Sequence, residues 1–218
     1  AAYYKLVEQR ISDLRGPLVG TSMIAGDLVA LIVYIGSFIT NTTHRMSGSH
    51  LYDYFMGGSL NPRLGPLDIK MWAEVRVSWF LLFCLTLGSA AKQYENTGSI
   101  TWSMSFMLLA HWLYTNACAK GEDCIVCTWD IFYEKWGWML CYWNLCGVPL
   151  MYTFNSHYLE KTNYDMPKEC RIPMFASLLL VYYMWDTANS QKCIFRAEGY
   201  GIYKPRSKWV FPQLPWKK

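Results

Sequence analysis

Residues 18–40 read LVGTSMIAGDLVALIVYIGSFIT, a stretch of 23 residues with one charge, Asp27. A helix rises about 1.5 Å per residue, and about 20 mostly apolar residues cross the hydrocarbon core of a bilayer. This run is long enough to span, and it sets the class of the whole chain. Four more blocks repeat the pattern downstream. Residues 72–91 carry Glu74 and Arg76 near one end, then the run from Trp79 to Leu85. Residues 100–119 hold Phe106-Met107-Leu108-Leu109-Ala110, followed by His111 and Asn116. Residues 136–159 contain Trp136, Trp138, Tyr142, Trp143 and a mid-block Pro149. Residues 172–190 centre on Leu178-Leu179-Leu180-Val181. The fold expected is all-α, a multi-spanning transmembrane helix bundle with five spans in this stretch. A soluble protein with buried helices is the alternative. Long blocks, few charges and Trp or Tyr at block ends weigh against it. Polar residues inside the blocks then need partners or must face a cavity.

Composition agrees. Of 218 residues, 53% are hydrophobic and 17% charged, against about 25% charged in a typical soluble domain. A net charge of +4, scattered along the chain, excludes a nucleic-acid binder on electrostatic grounds. Four of the eight cysteines (Cys84, Cys118, Cys141, Cys146) fall inside apolar blocks, where a thiol acts as a small hydrophobe. Cys124 and Cys127 form a lone CxxC with no second ligand pair, so no metal is expected. The chain opens on Ala-Ala-Tyr-Tyr and stops at Trp216-Lys217-Lys218. Both ends are expected to be cuts within a longer protein.

The segment from Asp186 to Lys218 holds seven cations (Lys192, Arg196, Lys204, Arg206, Lys208, Lys217, Lys218) against Asp186 and Glu198, a net of +5. The positive-inside rule places it in the cytosol. Counting back, loops 41–71 and 120–135 are cytosolic, and loops 92–99 and 160–171 lumenal. The sequon Asn41-Thr42-Thr43 would go unused on this topology. Loop 41–71 is rich in turn formers such as Gly57-Gly58, Asn61-Pro62 and Gly65-Pro66. Its apolar residues, Leu51 to Met56 among them, predict that it folds back on the bundle.

Chemistry-bearing residues gather in two cytosol-side places. From His111 and Tyr114 the chain turns acidic at Glu122, Asp123 and Asp130. A carboxyl kept in an apolar site has a raised pKa and serves as an acid near neutral pH. Acids at a helix start also simply complement the helix dipole. The second place is the run from Asp186 to Arg196, where Lys192 and Arg196 are four apart and share a helix face. Two such cations can clamp a phosphate, with Arg binding two oxygens at once; lipid headgroup contact is the alternative. No GxGxxG occurs, so a dinucleotide site here is not of the Rossmann kind.

These residues carry a family resemblance running nearly end to end. It shows in His44-Arg45-Met46-Ser47-Gly48, Tyr52-Asp53-Tyr54-Phe55-Met56-Gly57, Leu60-Asn61-Pro62-Arg63, and Asp68-Ile69-Lys70-Met71 with Glu74-Val75-Arg76. It continues in Thr128-Trp129-Asp130, Val148-Pro149 and, most specifically, Asn189-Ser190-Gln191-Lys192 with Phe195-Arg196. The chain resembles the membrane sterol reductases. Ala91-Lys92-Gln93-Tyr94-Glu95, Asn116 to Glu122, Phe132-Tyr133-Glu134-Lys135 and Phe211 to Trp216 are similar to the fungal branch that reduces the side chain at carbon 24(28). The carbon-14 and carbon-7 reductases are the sister alternatives, and a non-enzymatic sterol-binding scaffold is another.

The resemblance implies that residues 1–218 are the central to C-terminal part of a membrane domain with about ten spans, five of them here. It implies a multi-pass protein of the endoplasmic reticulum membrane, NADPH as cofactor and a sterol olefin as substrate. Lys192 and Arg196 match the family's cofactor contacts. Tyr114 matches a tyrosine near the sterol double bond, and Glu122 and Asp130 match acidic positions beside the pocket. The expected chemistry is protonation of one olefinic carbon by Tyr114, with Glu122 or Asp130 behind it, and hydride delivery to the other. Trp112, Trp129, Trp136 and Trp138 could line a cation-stabilising wall, with anchoring at the membrane interface the alternative that most of them fit. Trp129 departs from the family, which has methionine there.

Overall fold

The structure is a computed structural model and describes residues 13–126, 128–162 and 164–199. The final motif, Phe211 to Trp216, and the last five of the seven cations lie outside the described residues, as does Cys127. All five apolar blocks are helical. In chain order the elements are α1 (Arg15–Ile39), α2 (His50–Met56), the two-stranded antiparallel hairpin β1 (Arg63–Leu64) and β2 (Leu67–Asp68), and α3 (Ile69–Thr97). Then come α4 (Trp102–Lys120), the short α5 (Glu122–Ile125) and α6 (Trp129–Tyr133), α7, α8 (Phe154–Thr162) and α9 (Lys168–Gly199). Helix α7 starts as Trp138–Tyr142 and continues as π-helix over Trp143–Met151. By length and composition α1 and α3 are apolar enough to cross a membrane.

Helix α1 is built inside out relative to a soluble helix. Its buried residues are the small Gly26, Ala30 and Ser37, while Ile32 and Ile39 are 68% and 77% exposed. Small residues let backbones approach closely: a Cβ on Gly26 would sit 3.1 Å from the Tyr142 Cα of α7. A long outward stripe of Ile and Leu suits hydrocarbon, since an apolar face of this size is rarely left to water.

Two π-helical stretches, Ala73–Ser78 of α3 and Trp143–Met151 of α7, pack together. Ser78 Oγ joins them, donating to the carbonyls of Ala73 (3.0 Å) and Asn144 (2.9 Å). Pro149 has no N–H and disturbs the helical ladder around it. The neighbouring carbonyls are taken up by side chains: Thr153 Oγ1 donates to Pro149 O at 2.7 Å, and the Arg15 guanidinium to Leu150 O at 2.6 Å. Side chains thus satisfy the backbone groups that the break in the helix frees.

Loop 41–71 does fold back on the bundle. At its centre Lys70 is fully buried and donates to the carbonyls of Asp130 and, at 2.7 Å, Glu134. The Asn61 amide donates to Ile131 O at 2.9 Å, and Trp136 N to Ser59 O at 3.1 Å. Asp53, also buried, accepts from Ser47 N at 2.9 and 3.0 Å and pairs with Lys135 at 3.7 Å. These bonds, the Ser47 backbone first and the Lys135 charge also contributing, hold the Asp53 carboxyl below its ordinary pKa against the opposing effect of desolvation. Gly57, at φ +109°, packs backbone against backbone: a Cβ there would stand 2.7 Å from Gly137 N.

Candidate active site

Helices α4 and α9 lie side by side and run parallel, as their contacts at successive levels show. Phe175 meets Trp102 and Phe106 at their N-terminal ends, Tyr114 lies near Trp185 midway, and Lys120 meets Asp186 near the α4 C-terminus. Loop 120–128 therefore returns to the same end as the polar end of α9.

Two cavities open between these helices. The first, about 140 Å³, is lined by α4, α5 and α9 and brings Lys192 and Arg196 together with Asp186, Asn189, Thr128 and the cysteines 118, 124 and 193. The second, about 180 Å³, is apolar; Tyr114, Leu113, Leu178, Val181 and Tyr182 line it. Ala117 and Trp185 line both. Parts of the two sequence clusters, more than 50 residues apart in the chain, thus become one cleft with a cationic mouth and an apolar inner wall.

Tyr114 is 42% exposed, with its ring edge-on to Trp79 at 4.3 Å. Lys192 and Arg196 share the cleft face, as their spacing predicts. Glu122 and Asp130 are placed differently. Glu122 is ion-paired with Arg76 of α3, and the Asp130 side chain is exposed on α6; neither lines either cavity. Nearby, burial raises the Glu134 carboxyl pKa above its ordinary value, with Asp130 adding to the shift and Lys70 opposing it.

The aromatic wall needs correction. Trp136 is buried against Ala30, Ala73 and Cys141, Trp138 donates to Asp27, and Trp129 packs on Tyr133. None of these, nor Trp112, lines either cavity; the tryptophans around Tyr114 are Trp79 and Trp185. The expected wall followed from Trp density in sequence, whereas helix packing selects which rings turn inward. Among the described residues no group of three or more His, Cys, Asp or Glu side chains is placed to hold a metal ion.

Asp186 and Lys120 lie in the two polar clusters of the sequence but carry no assigned role there; the structure pairs them. Asp186 Oδ1 meets Lys120 Nζ at 2.6 Å, and its side chain is only 4% exposed. The available signal was an acid within an apolar block, three and ten residues before Asn189 and Arg196 on the same helix.

Comparison with known proteins gives a consistent set of matches. Residues 3–218 match the family described as Ergosterol biosynthesis ERG4/ERG24 family. The chain is 48% identical over 209 residues to the Delta(24(24(1)))-sterol reductase erg4A of Aspergillus fumigatus, an alignment covering 94% of this chain and 44% of that protein. It is 45% identical over 209 residues to the Delta(24(24(1)))-sterol reductase of Gibberella zeae, covering 94% of this chain and 35% of that protein. To the Delta(14)-sterol reductase of Methylotuvimicrobium alcaliphilum it is 36% identical over 186 residues, covering 85% and 44%. The chain thus spans less than half the length of these curated relatives.

Proposed function

This chain belongs to the ergosterol biosynthesis ERG4/ERG24 family, and on that premise we propose that the full-length protein reduces a sterol carbon–carbon double bond with NADPH. The side-chain olefin at carbon 24(28) is the substrate bond proposed. Higher identity to two proteins named for that reaction than to a carbon-14 reductase supports it. The five helical blocks are read as spans of an endoplasmic reticulum membrane protein of about ten. A sterol reaches such a site through the bilayer.

One observation carries the proposal: the cleft between α4 and α9 is apolar at Tyr114 and cationic at Lys192 and Arg196. The residues fit the cofactor. Two cations suit phosphate oxygens, and a buried carboxylate oxygen of Asp186 without a partner among the described residues suits a hydroxyl or amide donor. When bound, the reduced nicotinamide supplies the hydride. The chain's own part is to hold the phosphates with Lys192 and Arg196, seat the sterol against Leu178, Val181 and Trp185, and present the Tyr114 hydroxyl as proton donor. Glu122, tied to Arg76, and Asp130, at the solvent side, would resupply that proton rather than touch the olefin. The faces of Trp79 and Trp185 would favour positive charge near Tyr114 by about 0.5–2 kcal/mol each. Each cavity is smaller than the roughly 300–1,000 Å³ of a whole-ligand pocket, which fits a chain that contributes one wall of the site.

Lys192→Ala or Arg196→Ala in the full-length protein should raise the NADPH Michaelis constant by about 10- to 100-fold, the loss of one charge-assisted contact at about 1.5–3 kcal/mol. An unmoved constant removes the clamp. Tyr114→Phe should abolish turnover while cofactor still binds; retained turnover takes Tyr114 out of the proton path. Sterol profiles of cells lacking the gene decide the bond: a 24(28)-unsaturated sterol should accumulate, and a 14- or 7-unsaturated one would move the protein to a sister branch.

A further inference from the structure

Asp186 is buried in the lining of the cationic cavity, one helical face from the phosphate clamp. Its two oxygens are treated unequally. Oδ1 is held by Lys120 Nζ at 2.6 Å, whereas Oδ2 is buried with no hydrogen-bond partner among the described residues. The neighbouring hydroxyls do not serve it: Thr187 Oγ1 donates to Tyr183 O at 2.9 Å, and Ser190 Oγ to the Asp186 carbonyl at 2.6 Å. An ionised carboxylate is acceptor-only, and a buried one left half-satisfied is costly. The group that completes it must bring an N–H or O–H.

The position along α9 narrows what that group is. Lys192 and Arg196 lie six and ten residues on, about 9 and 15 Å along the helix axis. Those are backbone separations, and the Lys and Arg side chains lean back toward the helix N-terminus; a ligand that meets both ends still carries anionic oxygens at one end and a separate donor at the other. Inorganic phosphate has no such second end. Asp186 is also the inner end of the clamp, adjacent in sequence to Trp185, which lines the apolar cavity with Tyr114.

We propose that Asp186 is the donor-reading half of this site: its Oδ2 accepts a hydrogen bond from the nicotinamide-riboside half of the bound cofactor, through a ribose hydroxyl or the carboxamide N–H. Lys120 neutralises the carboxylate and fixes its orientation. Phosphate recognition and recognition of the reacting half are then divided between two parts of one helix. The inference rests on the NADPH reading above and deepens it.

The test is equilibrium binding to the purified full-length protein, read by intrinsic tryptophan fluorescence, with NADPH and with adenosine 2′,5′-bisphosphate, which lacks the nicotinamide half. Asp186→Asn should raise the NADPH Kd about 10- to 100-fold and leave the bisphosphate Kd within about threefold. The double variant Lys120→Met, Asp186→Leu leaves no buried charge unpaired and should show the same selective loss, which separates it from misfolding. An NADPH Kd unchanged in both variants overturns the inference, as does equal weakening of both ligands. If the unaltered protein binds neither ligand, the cofactor reading itself fails, an outcome visible before any variant is made.

Discussion

Lys70→Met tests the knot that ties loop 41–71 to segment 128–136. The ammonium is completely buried and donates to two carbonyls, those of Asp130 and Glu134. Methionine matches the length of the lysine stem, so little cavity forms. Removing the charge also relieves its desolvation cost, which offsets part of the lost attraction. What remains is two carbonyls without a donor, at about 1–3 kcal/mol each. Together that is about 2–6 kcal/mol; less the relieved desolvation, about 3 kcal/mol net corresponds to a change of about 100-fold in the population of the opened loop. Limited proteolysis reads this directly, because cleavage tracks the open population when reclosing is fast. The full-length variant in detergent should be cut within residues 121–137 on the order of 100-fold faster than the unaltered protein. Lys168→Met, at an exposed lysine, is the control and should change nothing. Cleavage within about threefold of the unaltered rate would refute the reasoning, since the two carbonyls would then be satisfied without Lys70.

Further outcomes follow from other parts of the structure. Gly57→Ala should destabilise by about 3 kcal/mol or more, since it adds a Cβ at φ +109° and against the Gly137 backbone. Gly65→Ala, at φ +60° in open space, should cost only about 1 kcal/mol; detergent thermal-unfolding curves separate the two. The Asp53 carboxyl is held below its ordinary pKa, so its contribution is present above that value and lost as pH falls through the lower folded-state pKa. Protease cutting of loop 41–71 should therefore rise in strong acid, and Asp53→Asn should open the loop already at neutral pH. Cys193 lines the cleft beside Lys192; NADPH at ten times its Kd should slow maleimide labelling of that peptide by about tenfold, and unprotected labelling would place the cofactor elsewhere.

Hydropathy and spacing by themselves were enough for the all-α class, for the helical state of the five apolar blocks and for the common face of Lys192 and Arg196. These are local properties: helix period and side-chain polarity are written within a few consecutive residues. The return of loop 41–71 was also legible from its apolar residues, though not the partners it finds. The motif from Asn189 to Arg196 pointed to the end of α9 that lines the cationic cavity before any contact was known.

Packing decided the rest. Glu122 reads as a pocket acid until Arg76, 46 residues away, claims it. Trp136 and Trp138 read as a wall until α1 and α7 bury one and bind the other to Asp27. Asp186 reads as one charge in a tail until α4 brings Lys120 to one of its oxygens and leaves the second without a partner among the described residues. The physical reason is common to all three. Whether a charge is paired, or a ring turned inward, depends on which distant surface meets it, and only the bundle's mutual fit sets that meeting.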